Sequence, residues 1–252
     1  MKKVIQTVLF DFDGVLLDSV ADIAAAVNAG LSNFNCIQIP EEKIRTFIGN
    51  GAEKLLERSL LYSLYGLEMD APIEDSCSAD DPSGIPGEVS EKKEHFKRIF
   101  HVLFPWYIEY YRNNCAVYST LYPGVPELLV ELHQRKIPMA VVSNKPLELS
   151  HRILSHFGLE RFFGSVAGPE STARLKPAPD GLLFALRELK GSPETTLMVG
   201  DTDIDIQAAR AAGVISCAFT GGFGNRKELL AENADIVIDS LEELLEIIEP
   251  SM

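Results

Sequence analysis

Nowhere does this 252-residue chain hold an apolar run approaching the ~20 residues that a membrane-spanning helix needs. The nearest thing to a leader is Met1-Lys2-Lys3 followed by "VIQTVLF". Gln6 and Thr7 interrupt it, Asp11 stops it, and no small-residue cleavage site follows, so the segment reads as a strand and the protein as cytoplasmic. Cys36, Cys77, Cys115 and Cys217 include no Cys-x-x-Cys pair, so neither a zinc site nor a disulfide framework is implied, and reduced thiols fit. Bases are also scarce: 23 Lys and Arg stand against 37 Asp and Glu, a net charge of −14. Nucleic acid and anionic membrane surfaces are therefore poor partners, whereas a divalent cation is a good one.

What is present has the profile of a folded globular chain, long enough for one large domain or for a domain carrying a second, smaller one. Short, nearly continuous apolar runs recur: "VIQTVLF" at 4–10, "PMAVVS" at 138–143, "TLMVG" at 196–200, "VISCAF" at 214–219 and "DIVID" at 235–239. Such runs suit strands covered on both faces. Between them, "PGVPELLVELHQRK", "PLELSHRILSHFG", "DGLLFALRELKG" and "DIDIQAARAAG" have helical periodicity, several with Pro near the start or Gly past the end. The alternation predicts an α/β fold, a doubly wound parallel sheet of Rossmann-like type.

The rhythm breaks after the first strand, where about a hundred residues precede the second, far beyond an ordinary crossover of a dozen or so. "DIAAAVNAGLSNF", "GAEKLLERSLLYSLYG" and "EHFKRIFHVLFPWYIEYYRNN" are helical in pattern, so an inserted helical domain is expected over 18–118, with a core domain of 1–17 and 119–252. The acidic, Pro-, Gly- and Ser-rich stretch near 66–94 reads as a long mobile loop inside the insertion. Hinges are expected near Leu16–Ser19 and Tyr118–Gly124.

The chemistry concentrates where strands end. In "VLFDFDGVLLDS", Asp11 and Asp13 follow an apolar run, and carboxylates at the end of a core strand are costly unless something compensates their lost hydration. Open parallel sheets bind ligands beyond the carboxyl ends of their strands. Asp13-Gly14 alone would equally suit a plain turn, and Asp18 or Ser19 a helix cap. Three further junctions add to it. Ser143 and Asn144 leave the second run with a hydroxyl, an amide and backbone N–H groups suited to phosphate oxygens. Lys176 sits in "RLKPAPD", where a solvated loop lysine is the plain alternative. Asp201, Asp203 and Asp205 occupy "VGDTDIDIQAA"; acids favour a helix start, but Asp201 precedes the turn and needs another reason.

The ordered set DxDG, Ser-Asn, Lys-Pro and GDxxxD resembles the four motifs of the haloacid dehalogenase-like hydrolase superfamily, and the helical insertion after the first motif resembles its cap of the first type. "DFDGVLLDS", "IGNGAEKLL", "YPGVPELL", "VVSNKP", "LKPAPD" and "VGDTDIDIQAA" are most similar to its phosphoglycolate phosphatase-like subfamily. The resemblance implies a magnesium-dependent hydrolase of a small-molecule phosphate monoester. Asp11 would be the nucleophile forming an aspartyl phosphate, and Asp13 the acid and base, its protonated form favoured by like charge on Asp11. Ser143, the Asn144 backbone and Lys176 would bind phosphate. Mg2+ would be held by the Asp11 carboxylate, the Asp13 carbonyl and the Asp201 carboxylate, with Asp205 acting through water or by orienting its neighbours. In the cap, Lys54 and Arg58, one helical turn apart, are candidates for a substrate carboxylate, with a solvated helix face as the alternative.

The resemblance also orders the competing chemistries. Dehalogenases and phosphonatases of the superfamily lack an acid at the position of Asp13, and β-phosphoglucomutases place a histidine early in the cap, where this chain has Ile23 or its neighbours. Two readings stay beside phosphoglycolate hydrolysis: a broader sugar-phosphate, nucleotide or pyrophosphate phosphatase, and a non-enzymatic receiver that stores phosphate on aspartate.

Overall fold

The computed structural model describes residues 4–66 and 86–248. In chain order its strands are β1 (Thr7–Phe10), β2 (Leu17–Asp18), β3 (Thr120–Leu121), β4 (Met139–Val142), β5 (Ser165–Ala167), β6 (Thr196–Gly200), β7 (Ile215–Phe219) and β8 (Ile236–Ile238). Six of them form one sheet in the order β5-β4-β1-β6-β7-β8, with every pairing parallel. Every residue of β1, β4, β6 and β7 is buried, as strands covered on both faces require. The fold is therefore α/β with a Rossmann-like parallel core.

The chain divides into two compact units. The described residues of Met1–Ser19, Gly49–Gly51 and Cys115–Met252 make up the sheet unit, and those of Val20–Ile48 and Ala52–Asn114 the other. The second unit is helical: α1 (Val20–Ser32), α2 (Glu41–Arg45), α3 (Ala52–Tyr65) and α4 (Pro86–Asn114), with α1 packed on α2, α3 and α4. The sheet unit carries α5 (Val125–Gln134), α6 (Leu147–His156), α7 (Asp180–Leu189), α8 (Asp203–Ala212), α9 (Arg226–Ala231) and α10 (Leu244–Ile247). Its core joins Leu9, Ala140, Val142 and Met198 from the strands to Leu182, Ala185 and Leu186 of α7 and Ala208, Ala209 and Ala212 of α8. The small alanines of α8 let that helix lie close on the sheet, and each buried aliphatic side chain contributes about 1.5–3 kcal/mol.

Three local differences from the sequence reading have physical causes. The first strand begins at Thr7 rather than at residue 4, because Val4 is largely exposed and ladder pairing starts with Gln6 N–H donating to the Thr195 carbonyl. β5, only three residues long, falls in "GSVAG", too short to read as an apolar run. The loop expected near 66–94 ends earlier, since α4 begins at Pro86, a residue suited to the first helical turn, and continues through the good helix formers of "EKKEHFKR". The rest of that expected loop, residues 67–85, lies outside the described residues.

The two segments expected as hinges meet each other. β2 and β3 form an antiparallel ribbon, Leu17 opposite Leu121 and Asp18 opposite Thr120. Gly49–Gly51 belongs with the sheet unit although it lies within the stretch expected to be cap, and there the Asn144 side chain donates to the Gly49 carbonyl (3.0 Å). Among the described residues no helix is long and apolar enough to cross a membrane. Cys115 and Cys217 are buried, and burial pushes the Cys217 thiol up to about 12.

Candidate active site

Strand register brings the two ends of the chain together. Phe10 pairs with Val141 of β4 on one side and with Val199 of β6 on the other, so the residues just past β1, β4 and β6 emerge at one rim. Asp11 N–H continues the ladder onto the Val199 carbonyl (2.9 Å), which sets Asp11 beside the Gly200-Asp201 corner although 190 positions separate them in sequence. This is the carboxyl-end crevice at which open α/β sheets bind ligands.

Asp11, Asp201 and Asp205 are all buried, and each offers an oxygen within 4.8 Å of the others. Lys176 Nζ reaches Asp11 Oδ1 at 2.9 Å and Asp205 Oδ1 at 2.6 Å. Phe12 N–H also donates to Asp11 Oδ1, at 2.7 Å. The second oxygen of Asp205 accepts from the Thr202 N–H (3.1 Å) and the Thr202 hydroxyl (2.6 Å) at the start of α8, which fixes the carboxylate by the reach-back half of a capping box. Asp205 is thus fully engaged within the protein.

Asp201 is not. Its Oδ2 accepts from the backbone N–H groups of Phe223 (2.6 Å) and Gly224 (3.1 Å), while its Oδ1 is buried without a hydrogen-bond partner. Glycines enclose this carboxylate: a Cβ at Gly14 would overlap its oxygens, and one at Gly224 would overlap the Asp201 carbonyl. The loop Gly222–Gly224 carries no charged or nucleophilic side chain, so nothing in its letters marks it as part of the site.

The electrostatics follow from burial. The Asp11 carboxyl is raised from its ordinary 3.8 to about 7 by lost hydration first and by the charge of Asp205 second, with Lys176 opposing. Asp201 is pushed well above the ordinary range by burial, Asp205 and Asp11, against the two N–H donors. Burial disfavours the Lys176 ammonium, but Asp11 and Asp205 more than offset it and its pKa is raised.

These residues fit a hard divalent cation. The donors are all oxygen, one buried carboxylate oxygen lacks a partner, and three carboxylates face one ammonium, an excess of two negative charges once all three are ionised. Asp11 and Asp201 offer carboxylate oxygens to hold it.

The remaining expected residues divide. Ser143 is buried at the end of β4, its hydroxyl oxygen accepting from Lys145 N–H (3.2 Å). The Asn144 side chain is committed to the scaffold: Nδ2 donates to the carbonyls of Gly49 and Lys176, and Oδ1 accepts from Lys176 N–H. Of the groups that Asn144 offers, the side-chain amide is therefore spent within the scaffold, and the phosphate role expected of its backbone N–H does not depend on it. The Asp13 carboxylate is met by Lys145 Nζ (2.9 and 3.1 Å) and the Ser19 hydroxyl (2.6 Å). In the helical unit, Lys54 Nζ pairs with Glu57 (2.7 Å) and stays half exposed, and Arg58 donates to the Phe47 carbonyl (3.1 Å).

Comparison with known proteins agrees with this architecture. The family described as haloacid dehalogenase-like hydrolase matches residues 8–219. A phosphoglycolate phosphatase of Vibrio parahaemolyticus is 34% identical over 247 residues, covering 98% of this chain and 97% of its own. Phosphoglycolate phosphatase 1 of Pseudomonas aeruginosa is 33% identical, covering 94% and 78%. Among solved structures, a protein of Haemophilus somnus described as a predicted phosphoglycolate phosphatase superposes with a TM-score of 0.81 at 28% identity, covering 96% of this chain and 97% of that one.

Proposed function

The chain belongs to the haloacid dehalogenase-like hydrolase family, and we propose that it is a phosphatase which hydrolyses a small phosphate monoester through an aspartyl phosphate, with Mg2+ as its cation and 2-phosphoglycolate as its substrate. The observation that carries the reading is the unpartnered, buried Oδ1 of Asp201 beside Asp11 and Asp205, which calls for a cation next to the one carboxylate suited to attack. The substrate is supported by the relatives named for it.

In this reading Asp11 forms its bond to phosphorus as the bond to the substrate alkoxide breaks. Phe12 N–H and Lys176 hold its Oδ1, which orients Oδ2 for attack. Asp13 delivers a proton to the departing alkoxide and then takes one from the water that releases phosphate from Asp11. The Ser143 hydroxyl, the Asn144 N–H and Lys176 hold the phosphoryl oxygens as charge shifts among them. Asp11, Asp201 and the Asp13 carbonyl would hold Mg2+, which when bound offsets the repulsion between these carboxylates and a phosphate dianion.

The test is a substrate panel with Mg2+, comparing 2-phosphoglycolate with sugar phosphates, nucleotides and pyrophosphate. The highest kcat/KM is expected for 2-phosphoglycolate; a preferred sugar phosphate would replace the substrate, and no turnover of any ester would refute the phosphatase. Asp11→Asn is expected to abolish turnover with an unchanged far-ultraviolet circular dichroism spectrum, and normal activity in that variant would remove Asp11 from the chemistry.

A further inference from the structure

We propose that Lys145 is the positioning residue of Asp13, holding the acid and base of the reaction in the geometry that proton transfer needs; this rests on the phosphatase reading. Lys145 follows Ser143 and Asn144 just past β4, and its side chain is only 4% exposed. Lysine is almost never buried to this degree without a partner. Its partner is Asp13, whose side chain is 13% exposed and whose two oxygens lie 2.9 and 3.1 Å from Nζ.

The arrangement has three parts. Adjacent strands supply the two residues, since β1 and β4 are paired and both side chains emerge from their carboxyl ends. The main chain of Lys145 is fixed by its N–H on the Ser143 hydroxyl oxygen, so the ammonium starts from a defined point. The Ser19 hydroxyl then adds a second donor and a third hydrogen bond, at 2.6 Å from Asp13 Oδ1. Oδ1 therefore accepts from Ser19 and Lys145 together, while Oδ2 accepts only the longer bond. Oδ1 can stay held while Oδ2 carries the proton that moves to the alkoxide and later comes back from water.

The two buried lysines of the rim thus divide the work. Lys176 bonds Asp11 and Asp205, and Lys145 bonds Asp13. Removing Lys145 leaves the Asp13 carboxyl held through Oδ1 by Ser19 alone, and the loss should fall on proton transfer, a step that contributes about 10²–10⁴-fold in general acid–base catalysis.

The experiment compares two leaving groups. A phenolate such as that of p-nitrophenyl phosphate departs with little help from an acid, whereas the alkoxide of 2-phosphoglycolate, or of the best alkyl phosphate in the panel, needs a proton. kcat/KM reports the steps up to that departure. Lys145→Ala is expected to lower kcat/KM for the alkyl ester by about 10² or more, and for p-nitrophenyl phosphate by at least about ten times less. Lys145→Arg, which keeps the charge, is expected to recover part of the alkyl-ester loss. Should Lys145→Ala fail to fold, Lys145→Met keeps the buried stem and carries the same comparison. Equal losses on the two esters, or no loss on either, would overturn the proposal. A wild-type protein that hydrolyses neither ester would overturn the phosphatase reading and this proposal with it, whereas wild-type turnover of both with equal losses in the variants overturns only the role of Lys145.

Discussion

At the scale of residues, the rim of the sheet is a problem of charge placed where water is scarce. Lys176 touches both Asp11 and Asp205, so its removal leaves two buried carboxylates without their ammonium. Breaking a buried pair by deleting one partner costs about 3–5 kcal/mol. Lys176→Met is therefore expected to lose about that much stability in denaturant titration and to lose turnover, and a variant as stable as the wild type would contradict the ion-pair account. Gly14 has φ +88° and lies against the Asp201 carboxylate. Gly14→Ala is expected to be destabilising by more than about 1 kcal/mol and to weaken Mg2+ binding, as measured by thermal unfolding with and without the ion. Most residues of the site could be read from the sequence because their types announce chemistry at a strand end: Asp11, Asp13, Ser143, Lys176 and Asp201. Lys145 stands in the same "VVSNKP" stretch, yet nothing local distinguishes a buried lysine from a solvated one. Only the neighbouring strand, which brings Asp13 to it, makes that difference.

At the scale of elements, the active rim is the product of parallel register. β1 lies between β4 and β6, and the loops after these three strands supply Asp11, Ser143 and Asp201. Asn144 ties the loops together, bonding the carbonyl of Gly49 and both the N–H and the carbonyl of Lys176. Asn144→Ala removes all three bonds and leaves buried backbone groups unpaired, at about 1–3 kcal/mol for each group that water cannot reach. The variant is expected to unfold at lower denaturant and to lose kcat through a misplaced Lys176; unchanged kcat would show that Lys176 is held without it. The long strands and the periodic helices were legible from their apolar patterns, since burial on both faces writes itself into a strand. β5 was not, because three residues carry no periodicity, and the start of α4 was not, because the flanking polar stretch hid a Pro at the first helical turn.

At the scale of the whole molecule, folding gathers acids from opposite ends of an already acidic chain, and pH must then act on stability. A carboxyl raised in the folded state holds a proton that the unfolded chain has released. For Asp11 the contribution is fully present below the ordinary value of 3.8 and is lost as pH rises through about 7. Asp201 shifts in the same direction. The metal-free protein is therefore expected to lose melting temperature across that window, and added Mg2+, which replaces those protons, to restore it increasingly as pH rises. A gap between metal-free and metal-loaded melting temperatures that stays constant with pH would contradict this. The hundred residues that interrupt the strand rhythm hold the helical unit, whereas Gly49–Gly51 joins the sheet unit, where Asn144 donates to the Gly49 carbonyl, a tertiary contact that no local pattern announces.

The central claim is that carboxylates from the two ends of the chain share one divalent cation, and titrating Mn2+ as a paramagnetic stand-in for Mg2+ into wild-type protein and into Asp201→Asn tests it most directly. One site per chain is predicted for the wild type, with affinity at least about tenfold weaker in the variant. Equal binding by both proteins, or no binding by the wild type, would contradict it.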